Sequence, residues 1–572
     1  MRMTSLRSTA AISVFLATSA VRAETESATL TVLPADVACE TARLGEAQAQ
    51  PDERGRFVFR PVLIAPAELV FECGRKYSFY LAPGDDMTVR LQADGIVFEG
   101  RGAVANRYLA APSAVSDRQL MAGVARPWEV FAPAWAQARQ ADLKRLSAIA
   151  ADVSPDFLVR ERARVDYRWA RGQVMFPFMH WRETDAPALV PDGPPVARME
   201  DVPVEAPEWS ALPEYQDFLG AYLHEQARSR IAADPALQTG DNRWLRAELA
   251  AARELRTPSL RLAQVNRLME AHVADNGTKG IEAIWPDYLA LSPPPEVQQR
   301  IEAAIAADQA KREGHRIEVY RTVDGVALDI HVLPPTAGDT GSGAGPAMLW
   351  FHGGSWTEGT WWHCPVICQS LRENGITVLA VELRTGNRFD SGPLEYLDDA
   401  TAAYRWVQGH AAALGVDENR IGAAGFSSGG TLALMLATRG FDAADGTPAR
   451  YPGAVIVMGG CANPIGPEED GWFRRRVAEQ DNPADYSPID RVGSGQPPLL
   501  AVHASRDEYC SHTQMQAFVA RYRAAGSDAA LVSVADVGHF FPFYFPPGVK
   551  QTQQAVADAM VKWGWRDKPP TR

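Results

Sequence analysis

The chain has 572 residues, of which 46% are hydrophobic and 22% are charged, and its formal net charge is −13. The length argues against a single hydrophobic core, and the composition argues against wholesale disorder. The negative charge gives no electrostatic basis for binding nucleic acid or an anionic membrane surface.

Residues 1–23 have the pattern of a secretory signal peptide. Arg2 and Arg7 give a positive start, an apolar run follows over residues 10–20, and the small residue Ala23 suits a cleavage site. The apolar run is far shorter than the roughly 20 residues that a membrane span requires. We therefore expect cleavage near Ala23, export to the periplasm or the medium, and no stable membrane insertion. Removing residues 1–23 with their three arginines gives a net charge of −16.

The chain after the signal peptide changes character twice. Residues 24–112 contain strand-like runs separated by turn residues and predict a small, β-rich, antiparallel domain. Residues 113–312 are rich in Ala, Arg, Glu and Leu at helical spacing and predict a helical region, with a long loop near 185–207. Residues 313–572 alternate short apolar runs with amphipathic stretches. That alternation predicts an α/β domain with a mostly parallel central sheet covered by helices on both faces.

The motif Gly425-Phe426-Ser427-Ser428-Gly429 stands between a buried strand and a helical run. A sharp strand–turn–helix junction with flanking glycines is the setting of a nucleophile elbow, which lifts the serine hydroxyl above the sheet. A serine hydroxyl is a weak nucleophile and needs a base. Asp507 follows the later strand 499–503, and His539 follows the strand 531–534. The order Ser, Asp, His beyond strand ends predicts Ser427 as nucleophile, Asp507 as acid and His539 as base.

The segment His352-Gly353-Gly354-Ser355-Trp356 follows another predicted strand. A tetrahedral oxyanion needs unencumbered backbone N–H donors, and glycines let the main chain approach closely. We assign the N–H groups of Gly353, Gly354 and Ser428 to an oxyanion hole. The pattern implies no cofactor and no metal.

These motifs together resemble the esterase/lipase branch of the α/β-hydrolases, close to the acetyl-esterase, feruloyl-esterase and hormone-sensitive-lipase-like groups. The resemblance covers residues 316–566, from Asp324-Gly325 through the His-Gly-Gly motif and the elbow to Gly538-His539. It departs from the usual pattern at Ser428, where alanine is commoner, and after His503, where a glycine is missing. It implies hydrolysis of a carboxylic ester through an acyl-enzyme, with acetyl or feruloyl esters of carbohydrates among the candidate substrates.

Residues 24–312 resemble, less specifically, the leading region of periplasmic thioredoxin-like proteins. The likeness rests on Tyr80-Leu81-Ala82-Pro83-Gly84-Asp85, Phe98-Glu99-Gly100 and the segment from Ala105 to Leu109. It implies a β-domain with a helical spacer and says little about activity. Separately, we expect residues 24–312 to bind a partner that the sequence does not identify.

The cysteines suit an exported chain, in which they can oxidise. Cys39 with Cys73, and Cys461 with Cys510, are candidate pairs because each pair lies within one domain, although spacing leaves the connectivity open. Cys364 and Cys368 lie one helical turn apart and are interpreted as core residues rather than metal ligands.

Aromatic residues are expected around the mouth of the site, namely Trp356, Trp361, Trp362 and the cluster at 540–545. The segment 463–488 is a candidate cap. The sequence leaves two alternative functions open. One is a serine peptidase of the prolyl-oligopeptidase type, and the other is a catalytically vestigial envelope binding or scaffold protein.

Overall fold

The computed structural model describes residues 26–34, 40–63, 66–73, 75–92, 95–111, 113, 123–184, 199, 202–336, 344–364, 366–441, 450–466, 471–478, 480 and 482–566. The expected signal peptide and Cys39 lie outside the described residues. The chain divides into two compact units, one running to Tyr222 and one from Leu223 onwards. The helical region 113–312 is therefore shared between the two units, and the boundaries drawn from the sequence stay predictions.

The first unit begins with short strands, which agrees with the β-rich domain expected over residues 24–112. Their bounds are β1 Glu26–Ser27, β2 Thr29–Leu33, β3 Ala42–Leu44, β4 Ala47–Ala49, β5 Phe57–Phe59, β6 Val62–Leu63, β7 Ala67–Cys73, β8 Arg75–Leu81, β9 Asp86–Gln92 and β10 Gly95–Gly100. The strands form two four-stranded sheets, ordered β10-β9-β2-β5 and β4-β3-β7-β8, and a ribbon of β1 with β6. The expectation of a purely antiparallel domain is wrong, because β2 pairs with β9 in parallel.

The two four-stranded sheets share one hydrophobic core. In β9 the burial alternates along the strand, so Met87 and Val89 point inward while their neighbours face outward. Phe71 of β7 meets Phe57 and Phe59 of β5 edge to face, at ring-centroid distances of 6.2 and 6.1 Å. Such pairs join the two sheets by aromatic packing.

Helices follow the strands in the chain. Their bounds are α1 Ala103–Ala110, α2 Trp128–Ser147, α3 Pro155–Thr184, α4 Pro213–Ala233, α5 Arg243–Arg253, α6 Pro258–Asn276, α7 Trp285–Leu289 and α8 Pro295–Glu313. Helices α2 and α3 pack through aromatic rings, with Phe176 4.6 Å from Phe131 and 5.0 Å from Trp128. No helix among the described residues has the length and apolarity needed to cross a membrane.

The second unit is built on an eight-stranded sheet of order β11-β12-β14-β13-β15-β16-β17-β18. The strand bounds are β11 Arg316–Val323, β12 Val326–Leu333, β13 Gly345–Phe351, β14 Thr377–Val381, β15 Val416–Phe426, β16 Val455–Met458, β17 Leu499–Ala504 and β18 Ala529–Val534. Strand β12 pairs antiparallel with both of its neighbours, β11 and β14. The remaining neighbours in the sheet, from β14 across to β18, pair in parallel. This mixed, mostly parallel sheet agrees with the predicted α/β fold.

Helices cover the sheet on both faces. Their bounds are α9 Val366–Glu373, α10 Gly386–Phe389, α11 Pro393–Leu414, α12 Ser428–Arg439, α13 Gly471–Ala478, α14 His512–Ala524, α15 Phe541–Tyr544 and α16 Pro546–Lys562. Successive residues of a strand pack into different cores. Leu349 and Val457 lie in one core, and Met348 and Ile456 lie in the other. Because the parallel strands run in one direction, the loops after them meet at a single edge, where ligands bind in sheets of this kind.

Candidate active site

The turn between β15 and α12 holds Ser427 at the carboxyl edge of the sheet. Ser427 has φ 55° and ψ −122°, a conformation that strains a non-glycine residue and clusters at functional sites. Glycine is required nearby: a Cβ on Gly425 would lie 2.2 Å from the carbonyl oxygen of Gly429. A Cβ on Gly429 would lie 2.1 Å from the carbonyl oxygen of Phe351. This close backbone packing has the geometry of a nucleophile elbow.

His539 and Asp507 are hydrogen-bonded to each other and buried. The Nδ1 of His539 donates to Oδ2 of Asp507 at 2.7 Å. The other carboxylate oxygen accepts the backbone N–H groups of Tyr509 and Cys510, at 2.9 and 2.8 Å. Burial opposes ionisation of Asp507, but its hydrogen bond and charge interaction with His539, with the N–H of Cys510, hold the pKa of this carboxyl below its usual value. The pair fixes one tautomer and leaves Nε2 of His539 as the acceptor nitrogen.

The imidazole of His539 lies beside the elbow. Its ring centroid is 4.9 Å from that of Phe426, the residue before Ser427. Within the described chain no hydrogen bond joins the Ser427 hydroxyl to this imidazole. Catalytic contacts of this type are often long before substrate binds and tighten in the complex. The structure therefore brings the three side chains to one edge of the sheet, without a hydrogen bond between the hydroxyl and the imidazole.

Glu508, which follows Asp507, and Asp536, which lies three residues before His539, occupy other positions. Glu508 accepts the backbone N–H of His539 at 3.1 Å through Oε2. Asp536 pairs with Arg506 at 2.7 Å on the surface. Among the described carboxylates, Asp507 is the one that contacts the imidazole ring.

Gly459, directly after β16, lies against the imidazole–carboxylate pair and was not singled out from the sequence. It has φ 54°. A Cβ there would lie 3.1 Å from Cε1 of His539 and 3.5 Å from Oδ2 of Asp507. The sequence signal for this position is the Gly459-Gly460 pair directly after a buried strand.

The loop of residues 352–359 after β13, here called the oxyanion loop, passes beside the elbow. A Cβ on Gly353 would lie 3.1 Å from Cβ of Ser427, and Gly354 has φ 127° with the carbonyl oxygen of Glu358 2.0 Å from its Cβ position. Gly354 thus requires glycine, and a side chain at Gly353 would crowd Ser427. In the described part of the chain, the N–H groups of Gly353, Gly354 and Ser428 donate to no acceptor. They are therefore available to a substrate oxygen.

The oxyanion loop is held by hydrogen bonds at both ends. At its start, the buried His352 donates from Nδ1 to the carbonyl of Gly353 at 2.8 Å. Burial lowers the pKa of His352 to about 4, so this ring is neutral near pH 7. At its end, the N–H of Gly359 donates to the carbonyl of Asp275, in the last turn of α6, at 2.9 Å.

Segments before residue 313 also contact this loop or its neighbour α10. Arg388 of α10 forms a buried, bidentate ion pair with Asp241, at 2.8 and 2.6 Å. Helix α10 in turn donates the N–H of Gly386 to the carbonyl of Trp356 at 3.0 Å. Segments that the sequence assigned to a helical spacer therefore support the loop beside the elbow. No local pattern in the sequence signals these contacts.

The cysteines form disulfides, which confirms one expected pair. Cys461 is bonded to Cys510. Cys364 and Cys368 are both buried in one of the cores, as their interpretation as core residues expected, and they are bonded to each other, which was not predicted. Cys364 precedes α9 and Cys368 lies within it, and their Cα atoms are 5.5 Å apart, which is bonding distance for a disulfide. Cys73 is also in a disulfide, and its expected partner lies outside the described residues.

Asp329, His331 and Glu382 stand at metal-ligand spacing in the described chain. The chain's own cations already bind these carboxylates. Nζ of Lys279 lies 2.7 Å from Asp329 and 2.8 Å from Glu382, and Arg312 lies 2.8 Å from Glu382. The group is therefore a buried ion-pair cluster whose chemistry does not suit a further cation.

The aromatic residues expected at the mouth divide into two groups. Trp356 and Trp361 are buried in the cores, so that expectation is wrong for them. Phe540 is 43% exposed, and its ring centroid is 5.2 Å from that of His539. Tyr544 and Phe545 are also exposed, which leaves an apolar rim on the side of the base.

The candidate cap contains α13, whose Phe473 is buried against Trp356 at 5.3 Å between ring centroids. Of the arginines in this segment, Arg476 pairs with Glu395 at 3.4 Å. Arg474 donates to the carbonyl of Gly466 at 3.1 Å. These two arginines are therefore engaged within the fold.

Comparison with known proteins finds a family-model match in the carboxyl-terminal half and relatives among esterases. Residues 328–451 match the family model described as BD-FAE. An ethyl acetate hydrolase of Pseudomonas putida is 29% identical over 244 residues, 38% of this chain and 73% of that protein. Esterase LipC of Mycobacterium tuberculosis is 27% identical over 330 residues, 54% of this chain and 79% of that protein.

Among solved structures, an esterase of the planctomycete Thermogutta terrifontis is 25% identical, with a TM-score of 0.41, and the match covers 46% of this chain and 96% of that one. The resemblance of residues 24–312 to periplasmic thioredoxin-like proteins stays a prediction. The match to the BD-FAE family model lies in the carboxyl-terminal half, and the chain is an enzyme related to carboxylic ester hydrolases.

Proposed function

We propose that this enzyme, a carboxylic ester hydrolase, works in two steps through an acyl-enzyme on Ser427. One observation carries the proposal. A serine in a strained turn stands at the sheet edge where the buried His539–Asp507 pair, joined at 2.7 Å, also lies. That combination supplies a nucleophile, a base of fixed tautomer and the charge that stabilises the imidazolium.

In the first step, Nε2 of His539 takes the proton of the Ser427 hydroxyl while the serine oxygen attacks the ester carbonyl carbon. The carbonyl oxygen becomes an oxyanion, which in this proposal accepts hydrogen bonds from the N–H groups of Gly353, Gly354 and Ser428. Each such donor contributes about 3 kcal/mol to the transition state. The intermediate then collapses, the bond to the alcohol breaks, and His539 returns the proton to the leaving oxygen.

In the second step, water replaces the alcohol. His539 takes a proton from the water as its oxygen attacks the acyl carbon, and the same donors hold the second oxyanion. Collapse releases the carboxylic acid, and the proton passes from His539 to the oxygen of Ser427. The serine is regenerated, and atoms and charge balance over the cycle.

The substrate we propose is a small-molecule or carbohydrate ester, with acetyl and feruloyl groups as candidate acyl parts. Support comes from the rim of Phe540, Tyr544 and Phe545 beside the base. Exposed rings offer a flat apolar surface, on which an aryl group or a sugar face can stack.

We also propose that the protein is exported. The supporting observations are the signal-peptide pattern of residues 1–23 and the disulfides of the described chain, because such bonds persist in oxidising compartments. Detection of the mature protein in a periplasmic or medium fraction, with an N-terminus near Glu24, tests this. An uncleaved chain in the cytoplasm contradicts it.

Hydrolysis of p-nitrophenyl acetate by Ser427→Ala tests the ester function. We expect kcat to fall by about 10⁶-fold, as for nucleophile removal in other triads, with the melting temperature retained. Ser229→Ala, on the exposed surface of α4, is the matched control and should keep the wild-type rate. Full activity in Ser427→Ala would refute the assignment.

The same assay separates the alternatives. An esterase cleaves p-nitrophenyl acetate far faster than an aminoacyl-anilide, whereas a peptidase of the prolyl-oligopeptidase type reverses that preference. A vestigial scaffold hydrolyses neither compound and does not react with a fluorophosphonate probe, because that reaction needs an activated serine.

A further inference from the structure

The disulfide between Cys461 and Cys510 joins the loops that follow the adjacent parallel strands β16 and β17. The two residues are 49 positions apart in sequence, with their Cα atoms 4.7 Å apart. We call this bond the loop bridge. Cys510 is 3% exposed, so this end of the loop bridge is packed inside the fold.

One end of the loop bridge contacts the proposed acid directly. The N–H of Cys510 donates to Oδ1 of Asp507 at 2.8 Å, and this bond helps to hold the pKa of the carboxyl down. The carbonyl of the same residue accepts from Nε2 of the buried His503 at 2.8 Å. Cys510 thus links the acid to a histidine whose side chain is fully buried.

The other end contacts the nucleophile turn through one residue. The N–H of Cys461 donates to Oγ1 of Thr431, in the first turn of α12, at 3.0 Å. The N–H and the hydroxyl of Thr431 both donate to the carbonyl of Ser427, at 2.9 and 3.3 Å. A continuous path therefore runs from the backbone of the serine, through the disulfide, to the carboxylate of the acid.

We propose that the loop bridge is a positioning device for the proposed ester hydrolysis: Cys461 and Cys510 hold the Asp507 loop in register with the Ser427 turn. The proposal rests on the triad function given above. Asp507 lies on a loop, and the two backbone bonds to its carboxylate come from that same loop. A covalent link to the neighbouring loop fixes the distance that these local bonds leave undetermined, and errors of about 1 Å in such geometry cost rate steeply.

The proposal makes hydrolysis sensitive to reduction. A dithiol such as dithiothreitol transfers two electrons and two protons to the loop bridge, which opens to two thiols while the reagent closes to its cyclic disulfide. No atom of the triad is altered by this reaction. A loss of the hydrolysis rate on reduction therefore indicates that the triad residues have changed position.

The test compares two double variants. Cys461→Ala/Cys510→Ala removes the loop bridge, and Cys364→Ala/Cys368→Ala removes a buried disulfide of the same unit as a matched control. We expect kcat for p-nitrophenyl acetate to fall by about 10-fold to 100-fold in the first, with KM within about 3-fold. The acidic limb of its kcat/KM profile should move to lower pH, because a displaced carboxylate favours the imidazolium less. The control should keep its kcat within about 2-fold.

Fluorophosphonate labelling distinguishes positioning from stability. Misplacement slows the labelling rate of every molecule, whereas partial unfolding lowers the labelled fraction at an unchanged rate. The proposal is overturned if the folded bridge variant keeps wild-type kcat, or if its labelled fraction alone falls.

Should the bridge variant not fold, dithiothreitol treatment of the folded Cys364→Ala/Cys368→Ala variant decides. Reversible loss of kcat supports the proposal, and retained kcat after opening of the loop bridge overturns it. A wild-type protein that neither hydrolyses esters nor labels would instead refute the proposed function.

Discussion

Replacement of Asp507 by Asn tests the acid with the smallest change of shape. In the structure Oδ1 accepts two backbone N–H groups, from Tyr509 and Cys510, and Oδ2 accepts Nδ1–H of His539. An amide has one oxygen, and the two backbone donors hold it at the Oδ1 position. The amide NH₂ then faces the imidazole. Because two donors cannot form one hydrogen bond, the ring must place its proton on Nε2, where it cannot accept the proton of Ser427.

We expect kcat for Asp507→Asn to fall by about 10⁴-fold, the loss found when a triad imidazole is held in the wrong tautomer, which corresponds to about 5 kcal/mol of barrier. Steady-state hydrolysis of p-nitrophenyl acetate measures it, with the melting temperature as a check on folding. Asp536→Asn is the control, since Asp536 pairs with Arg506 on the surface, and it should keep the wild-type rate. An Asp507→Asn enzyme that retains more than about a tenth of kcat would refute this reasoning.

Three further perturbations follow from the site. Gly459→Ala should lower kcat about 10-fold at unchanged KM, because the added Cβ would lie 3.1 Å from Cε1 of His539, on a backbone with φ 54°. An effect on KM alone in the ester assay would contradict this. Burial, with a neighbouring acidic charge, raises the pKa of Glu358 from 4.5 to about 7. The folded state therefore keeps a proton that the unfolded state releases, and stability falls as pH rises through that window. Melting temperatures of Glu358→Gln at about pH 5 and about pH 8 should show a smaller decline than in wild type, and an equal decline would refute the assignment. Asp241→Ala leaves the buried Arg388 without its ion-pair partner and should lower the free energy of unfolding by about 3–5 kcal/mol. A urea titration measures this free energy, and a decrease of less than about 1 kcal/mol would contradict the prediction.

The features that depend on short-range chemistry could be predicted from the sequence. The elbow was predictable because glycines at 425 and 429 have a purely steric purpose, which the 2.2 and 2.1 Å approaches show directly. The sheet was predictable because the buried parallel strands are continuous apolar runs. His539 and Asp507 were predictable because both follow strands of one direction, so their loops had to share an edge.

The features that sequence reasoning missed depend on distant packing. Asp241 and Asp275 look like surface acids in a helical region, yet both segments contact the oxyanion loop or its neighbour α10. Trp361 looked suited to a substrate surface, but its ring stacks on His331 at 4.0 Å between centroids. Local periodicity records which face of a segment is apolar and does not record what covers that face.

An acyl-enzyme on Ser427 can be detected by peptide mass spectrometry after rapid acid quenching of p-nitrophenyl acetate turnover. We expect one acetyl group on the peptide that contains Ser427 in the wild type, and none on the corresponding peptide of Ser427→Ala. Turnover without acetylation of that peptide, or acetylation at another residue that accounts for the observed rate, would contradict it.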